Sequence, residues 1–443
     1  MREQNNQGGK LFIRTFGCQM NVHDSEQMTK LMEDAGYSLT GQAEDADVII
    51  VNTCSVRAKP EQKVFSEVGR FRLLKEKKPQ LVIVVAGCVA QEKGATMLAK
   101  LQFVDIVLGT HNIQELPSLV ARAGEKAKPL VRTEFQERVE SLGIIVAPAP
   151  KTTSAFVTIM QGCDNFCSYC IVPYVRGREQ SRPLQEIIEE VACLAQAGIK
   201  EVTLLGQNVN SYGKGSNGNF VRLLQEINNV QGIERIRFTT SHPKDFSPEV
   251  IRCFAELEKV CEHIHLPFQS GSNRILAMMG RGYTREEYTE KIKTLRSLCP
   301  EIALSADVIV GFPTETEADF QDTLALMEEI KFDNLFSFKY SPRPSTRAWN
   351  FPDDVAALTK NDRLAALQKK QMAQTLANNK AREGKIEAVL VEGFAKKKND
   401  LTGRTRDNRV VNFSGEEDLI GQTVPVRIRV GSQNSLQGEL WRR

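Results

Sequence analysis

The sequence lacks the features that are typical of membrane proteins, of secreted proteins and of strongly basic nucleic-acid-binding proteins. It contains no run of about 18 apolar residues, so no membrane span is expected. Residues 1–10 are polar and lack the apolar core of a secretory signal. The net charge is only +3, from 58 basic and 55 acidic residues, so any surface for nucleic acid must be local. We therefore expect a cytoplasmic globular protein.

Cysteine, in contrast, is not scarce: the chain has ten in 443 residues. In a reducing compartment, such cysteines point to metal binding or catalysis rather than to disulfides. A chain of this length is also too long for one hydrophobic core, so we expect two or three domains.

Three of the cysteines form one short loop, in which Cys163, Cys167 and Cys170 follow a C-x3-C-x2-C pattern. Three thiolates at this spacing can hold three corners of an iron–sulfur cluster and leave the fourth iron open. A zinc knuckle or a chance grouping is the alternative, but zinc usually takes four ligands and no fourth Cys or His lies close by. The spacing resembles the cluster loop of the radical S-adenosylmethionine (SAM) enzymes.

The first region has the pattern of a parallel α/β sheet, because apolar strands alternate with helical segments. The predicted strands are residues 11–17, 47–53, 81–87 and 104–109, and the predicted helices are residues 25–35 and a long one that ends near residue 77.

Cysteines follow the first three of these strands, at Cys18, Cys54 and Cys88. The carboxyl ends of parallel strands share one edge of a sheet, so these thiolates should converge into a second three-cysteine site. Buried structural cysteines are the alternative, although those more often lie inside strands. Small or polar residues lie next to these cysteines in the sequence, and they either donate hydrogen bonds to cluster sulfurs or form ordinary turns and helix caps. These residues are Gly17, Asn21, Asn52, Thr53 and Gly87.

After a Pro/Ala/Thr-rich linker at residues 146–153, a second α/β region begins. Six βα units predict an open partial TIM barrel, with its active edge at the carboxyl ends of the strands. The predicted strands are residues 155–160, 201–205, 235–239, 263–267, 302–310 and 335–340, and the predicted helices are residues 184–197, 285–298 and 318–330. The C-x3-C-x2-C loop follows the first strand.

Polar and glycine residues follow the other strands at the same edge, and we expect them to contact SAM, although loops of any protein are rich in such residues. The predicted SAM contacts are Tyr169, Gly206, Gln207, Asn208, Ser241, Gln269 and Gly311. Tyr169 is expected to flank the adenine, or else to pack against the loop. Arg176, Arg178 and Arg182 either bind phosphates or form a solvated loop. The remaining candidates are expected not to be ligands: His263, His265, Cys193, Cys253, Cys261 and Cys299.

From about residue 385 the pattern changes to five short strands, which predicts a small OB-like β-barrel. A basic strip lies within it, and its members are Lys396, Lys397, Lys398, Arg404, Arg406 and Arg409. Phe394 and Phe413 flank this strip. Basic side chains beside aromatics suit single-stranded or loop RNA, and a solvated charged hairpin is the alternative.

Taken together, these motifs resemble the methylthiotransferase family of radical SAM enzymes over nearly the whole chain. The strings that carry the resemblance are residues 15–21, 52–57, 87–90, 161–170, 205–210, 238–243, 403–405 and 408–413. The resemblance implies an N-terminal cluster domain at 9–126, a radical SAM core at 149–381 and a TRAM RNA-binding domain at 383–443. It also implies two [4Fe-4S] clusters and two SAM molecules per turnover, one as methyl donor and one as radical source.

The family divides by substrate, and residues 206–210 together with Cys18-Gln19-Met20-Asn21 fit the branch that acts on isopentenylated adenosine next to the tRNA anticodon. The alternatives are the branch that modifies an aspartate of a ribosomal protein, which tends to carry Asp where Asn208 stands, and the branch that acts on threonylcarbamoyl-adenosine in tRNA. A non-enzymatic iron–sulfur RNA-binding protein is a further alternative. The chain departs from many radical SAM enzymes in lacking Gly-Gly-Glu after the second barrel strand. The expected partners are a tRNA anticodon stem-loop and a flavodoxin or ferredoxin, with the enzyme as a monomer.

Overall fold

The computed structural model describes residues 8–55, 58–123, 128–137, 139, 143–144, 152–214, 219–396 and 400–442, without the side chains of 58–64. The chain divides into two compact units. The first consists of Met1–Val146, Met160–Asp164 and Cys170–Arg182, and the second of Ala147–Ile159, Asn165–Tyr169 and Pro183–Arg443. Among the described helices, none is both long enough and apolar enough to cross a bilayer.

The first unit contains a six-stranded, all-parallel sheet in the order β2-β1-β3-β4-β5-β6. Its elements are β1 (Lys10–Thr15), α1 (Gln19–Asp34), β2 (Ser38–Leu39), β3 (Val48–Thr53), α2 (Ala58–Lys77), β4 (Val82–Gly87), α3 (Cys88–Lys93), β5 (Ile106–Leu108), α4 (Leu116–Ala123) and β6 (Leu130–Arg132). Alternate residues of β3 enter separate hydrophobic cores: Ile49 and Val51 on one face, Val48 and Ile50 on the other. The predicted parallel sheet, covered on both faces, is confirmed.

The main differences of this sheet from the sequence-based expectation are two additional strands and the start of one helix. The short edge strands β2 and β6 were not predicted, because two or three residues are too few to show an alternating pattern. Helix α1 begins at Gln19, six residues before the predicted start at residue 25, because Cys18 takes the N-cap position. The sixth strand lies beyond residue 126, and the boundary predicted there stays a prediction.

The chain passes between the two units at the cysteine loop. Strand β7 (Ser154–Thr158) belongs to the second unit. The antiparallel pair β8 (Met160–Gln161) and β9 (Gln180–Ser181), with the short helix α5 (Val172–Arg176) between them, belongs to the first.

The second unit continues with the six predicted βα strands, now counted from β7. Its elements are α6 (Leu184–Gln196), β10 (Glu201–Leu205), α7 (Phe220–Asn229), β11 (Arg235–Phe238), α8 (Pro248–Glu256), β12 (His263–His265), α9 (Asn273–Met279), α10 (Arg285–Leu298), β13 (Ala303–Val310), α11 (Glu317–Ile330), β14 (Asn334–Lys339) and α12 (Ala357–Lys380). The strands pair in parallel as β7-β10-β11 and β12-β13-β14, and a parallel bridge between Ile236 and Val260 lies where the two sheets meet. This arrangement confirms the open (βα)6 barrel.

The tail forms the predicted small barrel, which is closed in the order β15-β16-β17-β19-β18. Its strands are β15 (Ile386–Phe394), β16 (Asp400–Arg404), β17 (Val410–Ser414), β18 (Thr423–Gly431) and β19 (Leu436–Leu440). Its core consists of aliphatic side chains and Phe413. Phe413 is 2% exposed and belongs to this core, so it is not available to stack on RNA beside the basic strip.

Two arginines of β11 attach the small barrel to the central strands. Arg235 donates hydrogen bonds to the carbonyls of Arg404 and Ala388, at 2.7 and 2.9 Å. Arg237 donates to the carbonyls of Arg406 and Thr405, at 2.7 and 2.8 Å. The segment between β16 and β17 therefore faces the central strands instead of solvent.

Candidate functional site: two cysteine sites

The three strand-end cysteines occupy the predicted places. Cys18 is the N-cap of α1, Cys54 directly follows β3, and Cys88 is the first residue of α3 after β4. Cys54 and Cys88 are each 4% exposed, whereas Cys18 is exposed. Because β1, β3 and β4 pair in parallel, the three cysteines lie at one edge of the sheet, where Cys54 hydrogen bonds with Cys18 and where burial, together with the negative charge of Cys18, raises the pKa of Cys88.

The glycines beside these cysteines allow the strand ends to approach closely. Gly17 and Gly87 both have positive φ, at +139° and +89°. A Cβ at Gly17 would stand 2.7 Å from the Cβ of Cys54, and a Cβ at Gly87 would stand 2.5 Å from the carbonyl oxygen of Thr53. Only glycine fits at such contacts, so the strand ends that carry the cysteines pack together without an intervening side chain.

A buried polar network supports this edge. The Asn21 amide donates to the Asn52 side chain and to the Thr53 carbonyl, at 3.3 and 3.1 Å. Asn52 in turn donates to the Asn21 carbonyl at 2.8 Å and to the Ser25 hydroxyl at 2.9 Å. These side chains satisfy one another and fix the first residues of α1 against β3. Their role as donors to cluster sulfurs stays a prediction.

The electrostatics of the site favour thiolate at Cys18. A hydrogen bond from Cys54 lowers the pKa of the Cys18 thiol to about 6; desolvation by the surrounding atoms opposes this shift even though part of the residue is exposed, and the Arg176 charge and the backbone N–H of Asn21 add to it. The N-terminus of a helix also stabilises a thiolate. Burial raises the pKa of Cys88, and the Arg176 charge opposes that rise. Thiolate is the form that binds iron.

Arg176 was missed as part of this site. The sequence left it open whether Arg176 binds phosphate or lies in a solvated loop; it does neither. Its side chain is 3% exposed and forms a two-pronged ion pair with the carboxylate of Asp24, with one Nη–Oδ distance of 3.1 Å. Arg178, in contrast, is exposed and pairs with Asp164 at 2.8 Å.

The C-x3-C-x2-C loop lies between β8 and α5, at the end of the first barrel strand as predicted. Within the first unit, the Cys163 amide donates to the Gly177 carbonyl at 3.2 Å. Gly162 has φ +83°, and a Cβ there would stand 2.0 Å from the Arg178 carbonyl oxygen. The loop therefore also depends on close backbone packing that only glycine allows.

Cys167 belongs to the second unit, where two donors approach its sulfur. Arg281 donates from Nη1 at 3.4 Å, and His242 Nε2 lies 3.9 Å away. Burial lowers the pKa of His242 to about 2, so its ring is neutral. Because the Lys244 amide donates to His242 Nδ1 at 3.1 Å, the ring proton lies on Nε2 and points toward the sulfur.

Arg281 was missed because its partners are far away in sequence. It is buried, and besides Cys167 it donates to the Tyr169 hydroxyl at 3.4 Å and to the Pro267 carbonyl at 2.8 Å. Its guanidinium also lies over the Tyr283 ring, 5.4 Å from the centroid. A fixed positive charge thus stands directly beside one predicted cluster ligand.

The predicted SAM contacts lie at the carboxyl ends of β10 to β13. Asn208, which is buried, donates to Asp245 at 2.7 Å and accepts from the His242 amide at 3.1 Å. The Ser241 hydroxyl is buried and has no hydrogen-bond partner within the described ranges, as expected of a group that awaits a ligand. Gly206 is buried and Gln207 half-buried at the same edge. Their contacts with SAM stay predictions.

The remaining predicted contacts follow β12, β13 and the cysteine loop. Gln269 has φ +66°, and its amide donates to the Asp307 carbonyl at 2.9 Å. Gly311 has φ +68°, and its amide donates to the Glu315 carboxyl group. Tyr169 packs partly buried against a cluster that includes Met279, which agrees with its alternative packing role.

Backbone strain is concentrated at this edge. Four non-glycine residues with φ between +45° and +66° follow β8, β11, β12 and β13: Phe166, Thr240, Gln269 and Thr314. Left-handed conformations of such residues persist only where the surrounding structure enforces them, and they cluster at functional sites.

The structure holds the predicted RNA-binding arginines within the protein. Arg406 binds Glu262 at 2.7 Å, and Arg409 contacts Asp333 and Asp407. Arg404 pairs with Glu392 at 3.1 Å and stays 37% exposed. RNA contacts by Arg406 and Arg409 would thus require these partly buried ion pairs to open.

Lys396 and Phe394 are exposed at the end of β15. Lys397 and Lys398 lie outside the described residues. The RNA-binding role of the basic strip stays a prediction.

No three His, Cys, Asp or Glu side chains in the described parts of the chain lie close enough to share a single metal ion. Cluster binding is therefore inferred from the placement and chemistry of the two three-cysteine sets. The remaining cysteines are dispersed: Cys193 is exposed, and Cys253, Cys261 and Cys299 are buried.

Three family models match separate parts of the chain. The uncharacterized protein family UPF0004 matches residues 10–109, the radical SAM superfamily matches residues 157–327, and the TRAM domain matches residues 380–441. These matches fall on the N-terminal sheet, the βα strands with their cysteine loop, and the closed barrel.

Solved structures share the fold at low sequence identity. The radical SAM methyltransferase TsrM from Kitasatospora setae, with cobalamin and a [4Fe-4S] cluster bound, has a TM-score of 0.55 at 14% identity over 77% of this chain and 74% of its own. The cobalamin-dependent SAM radical enzyme OxsB has a TM-score of 0.53 at 14% identity over 82% of this chain and 56% of its own. Such similarity establishes the fold alone.

Curated relatives are much more similar and match along nearly the whole chain. The tRNA-2-methylthio-N(6)-dimethylallyladenosine synthase of Syntrophus aciditrophicus is 54% identical over 97% of this chain and 94% of its own length. The enzyme of the same name from Geotalea uraniireducens is 52% identical over 98% of this chain and 99% of its own. The chain therefore belongs to the tRNA-2-methylthio-N(6)-dimethylallyladenosine synthase family of radical SAM enzymes.

Proposed function

We propose that this protein replaces the C2 hydrogen of N6-(dimethylallyl)adenosine, next to the tRNA anticodon, with a methylthio group. The observation that carries this proposal is the full-length identity of 52–54% to enzymes of that name. The two three-cysteine sets, on a parallel sheet and on a radical SAM loop, supply the chemistry that the reaction needs.

The reaction needs a radical because an aromatic C2–H has no acidic proton for a side-chain base at neutral pH. Cys163, Cys167 and Cys170 would hold a [4Fe-4S] cluster, and when reduced it would supply the electron that cleaves SAM to a radical able to take the C2 hydrogen. The protein's part is to position the reactants and exclude side reactions. Arg281 and the neutral His242 fix Cys167, and the buried Ser241 hydroxyl is a polar group available to SAM.

The N-terminal cysteines Cys18, Cys54 and Cys88 fit a second cluster. Their sulfurs share one sheet edge, and glycines keep the adjoining backbone close. Buried asparagines stand next to them. We propose that these three cysteines would hold a [4Fe-4S] cluster, which would supply the sulfur, and that a second SAM would supply the methyl group. Both three-cysteine sets leave one iron without a protein ligand.

The tRNA is the proposed partner, with a flavodoxin or ferredoxin as electron donor. A TRAM domain at residues 380–441 supports RNA binding by the closed barrel. Since Arg406 and Arg409 are held by carboxylates, we assign the RNA contacts to Lys396, Lys397, Lys398 and the half-exposed Arg404. We propose that the enzyme acts on tRNA in the cytoplasm and as a monomer.

Reconstitution with two substrates tests this function. The purified protein, loaded anaerobically with iron and sulfide and supplied with SAM and reductant, should methylthiolate isopentenylated tRNA and leave ribosomes unmodified. Modification of a ribosomal protein alone would contradict the proposal in favour of the sister branch. Failure to form 5′-deoxyadenosine under any condition would indicate a non-enzymatic iron–sulfur protein.

A further inference from the structure

A short helix connects the radical SAM loop to the N-terminal cysteine site. Helix α5 begins two residues after Cys170. Ile171 and Val175 form a buried hydrophobic cluster with Cys88. Both α5 and Cys88 belong to the first unit. The segment that leaves one predicted cluster loop therefore packs against a predicted ligand of the other.

The last turn of α5 is fixed by two side chains that follow β5. The Thr110 hydroxyl donates to the Val175 carbonyl at 2.6 Å, and the His111 ring nitrogen Nε2 lies 2.9 Å from the Arg176 carbonyl oxygen. The side chains of Thr110, His111 and Arg176 are almost fully buried. These two contacts hold the backbone of Arg176 in place independently of the contacts of its side chain.

The side chain of Arg176 then reaches Asp24 on α1, the helix that Cys18 caps. Both members are almost fully buried, at 3% and 5% exposure, and the contact is two-pronged. A buried ion pair of this kind adds little to stability compared with apolar side chains of the same size, because desolvation offsets the attraction. Stability alone therefore does not explain why a charged pair stands at this edge.

We propose that Arg176, oriented by Asp24, is a positioning residue of the N-terminal cluster, and that its fixed charge raises the reduction potential of that cluster. This inference rests on the proposed cluster at Cys18, Cys54 and Cys88. Three thiolates make the site strongly anionic, so a guanidinium beside them offsets negative charge and favours the added electron. The Asp24 carboxylate fixes the guanidinium and partly neutralises it.

Because Arg176 and Asp24 carry opposite charges, removing one charge or the other should shift the reduction potential of the N-terminal cluster in opposite directions. In a full-length background with Cys163, Cys167 and Cys170 changed to Ala, only the N-terminal cluster contributes to the electron paramagnetic resonance signal. In that background, Arg176→Met should lower the ratio of reduced to oxidised cluster about tenfold at a fixed potential, which corresponds to about 59 mV for one electron. Asp24→Asn should raise this ratio, and Arg176→Lys, which keeps the positive charge, should leave it close to that of the unchanged background.

Matched variants of an exposed pair serve as controls. Arg72 and Glu76 lie in the same unit at 2.9 Å and are 67% and 54% exposed. Arg72→Met and Glu76→Gln should leave the potential unchanged, because solvent screens an exposed pair.

If Arg176→Met fails to load iron, Arg176→Gln takes its place, because the glutamine amide can still donate to Asp24 but carries no charge. Normal iron with an unchanged potential in either single variant would overturn the proposal, since Arg176 would then be only structural. Shifts of the same sign for Arg176→Met and Asp24→Asn would overturn it as well. If iron persists when Cys18, Cys54 and Cys88 are also changed to Ala in this background, the proposed cluster itself is refuted.

Discussion

Changing Gly87 to Ala tests how closely the N-terminal cysteine site depends on backbone packing. Gly87 has φ +89° and lies opposite Thr53 in the β3–β4 ladder. A Cβ there would stand 2.3 Å from Asn52 Oδ1 and 2.5 Å from the Thr53 carbonyl oxygen. Ordinary van der Waals contact begins at 3.4 Å, so the two strand ends must separate by about 0.9 Å.

The energetic cost has two parts. An L side chain at this φ costs about 1–2 kcal/mol, and overpacking a buried contact costs about 1–3 kcal/mol. A domain stable by about 5–15 kcal/mol should survive this, but Cys54 and Cys88, each one residue from the clash, should be displaced. We therefore expect a folded variant with about four irons per chain instead of about eight, and with SAM cleavage retained.

Gly94→Ala is the matched control, because it adds a Cβ at positive φ in the same unit without a clash. Gly94 has φ +49°, and its nearest neighbour would be Thr133 Oγ1 at 3.6 Å. Iron content and 5′-deoxyadenosine formation are measured side by side in both variants. Full iron in Gly87→Ala, or loss of SAM cleavage together with iron, would refute the reasoning.

Three further predictions concern the second unit. Arg281→Met removes a charged donor to Cys167 worth at least about 1.5 kcal/mol, so the rate of 5′-deoxyadenosine formation should fall at least tenfold while thermal stability changes little. Burial raises the pKa of Glu315 from 4.5 to about 7, so the folded protein should lose about 3 kcal/mol of stability as the pH rises from 4.5 past 7. Glu315→Gln keeps a hydrogen-bond acceptor for the Gly311 amide and should abolish this loss. The measurement is the urea midpoint of unfolding as a function of pH. Changing Lys396 and Arg404 to Ala should weaken tRNA binding. The slope of the logarithm of the binding constant against the logarithm of the salt concentration should become shallower by roughly 0.7 for each phosphate that the variant no longer neutralises. An unchanged slope would contradict RNA binding by these side chains.

Local pattern was enough to predict the architecture. Alternating apolar strands and helices placed Cys18, Cys54 and Cys88 at strand ends, because the parallel connection forces those ends to one edge. The edge strands β2 and β6 were missed because their residues pair only through tertiary contacts.

Long-range partners account for what the sequence did not reveal. Arg176 meets Asp24 across 152 residues, and Arg281 meets Cys167 across 114. No local spacing encodes such pairs. The same limit applies to the basic strip: its charge was evident, but its pairing with Glu262 and Asp333 arises only when the barrel docks on the central strands.

Mass spectrometry of tRNA from cells that lack this protein is the decisive test of the proposed function. We predict that dimethylallyladenosine next to the anticodon then lacks its methylthio group, that the wild-type chain restores it, and that Cys54→Ala and Cys167→Ala each fail to do so. Unchanged methylthiolated tRNA in the cells that lack the protein would contradict it, as would restoration by either cysteine variant.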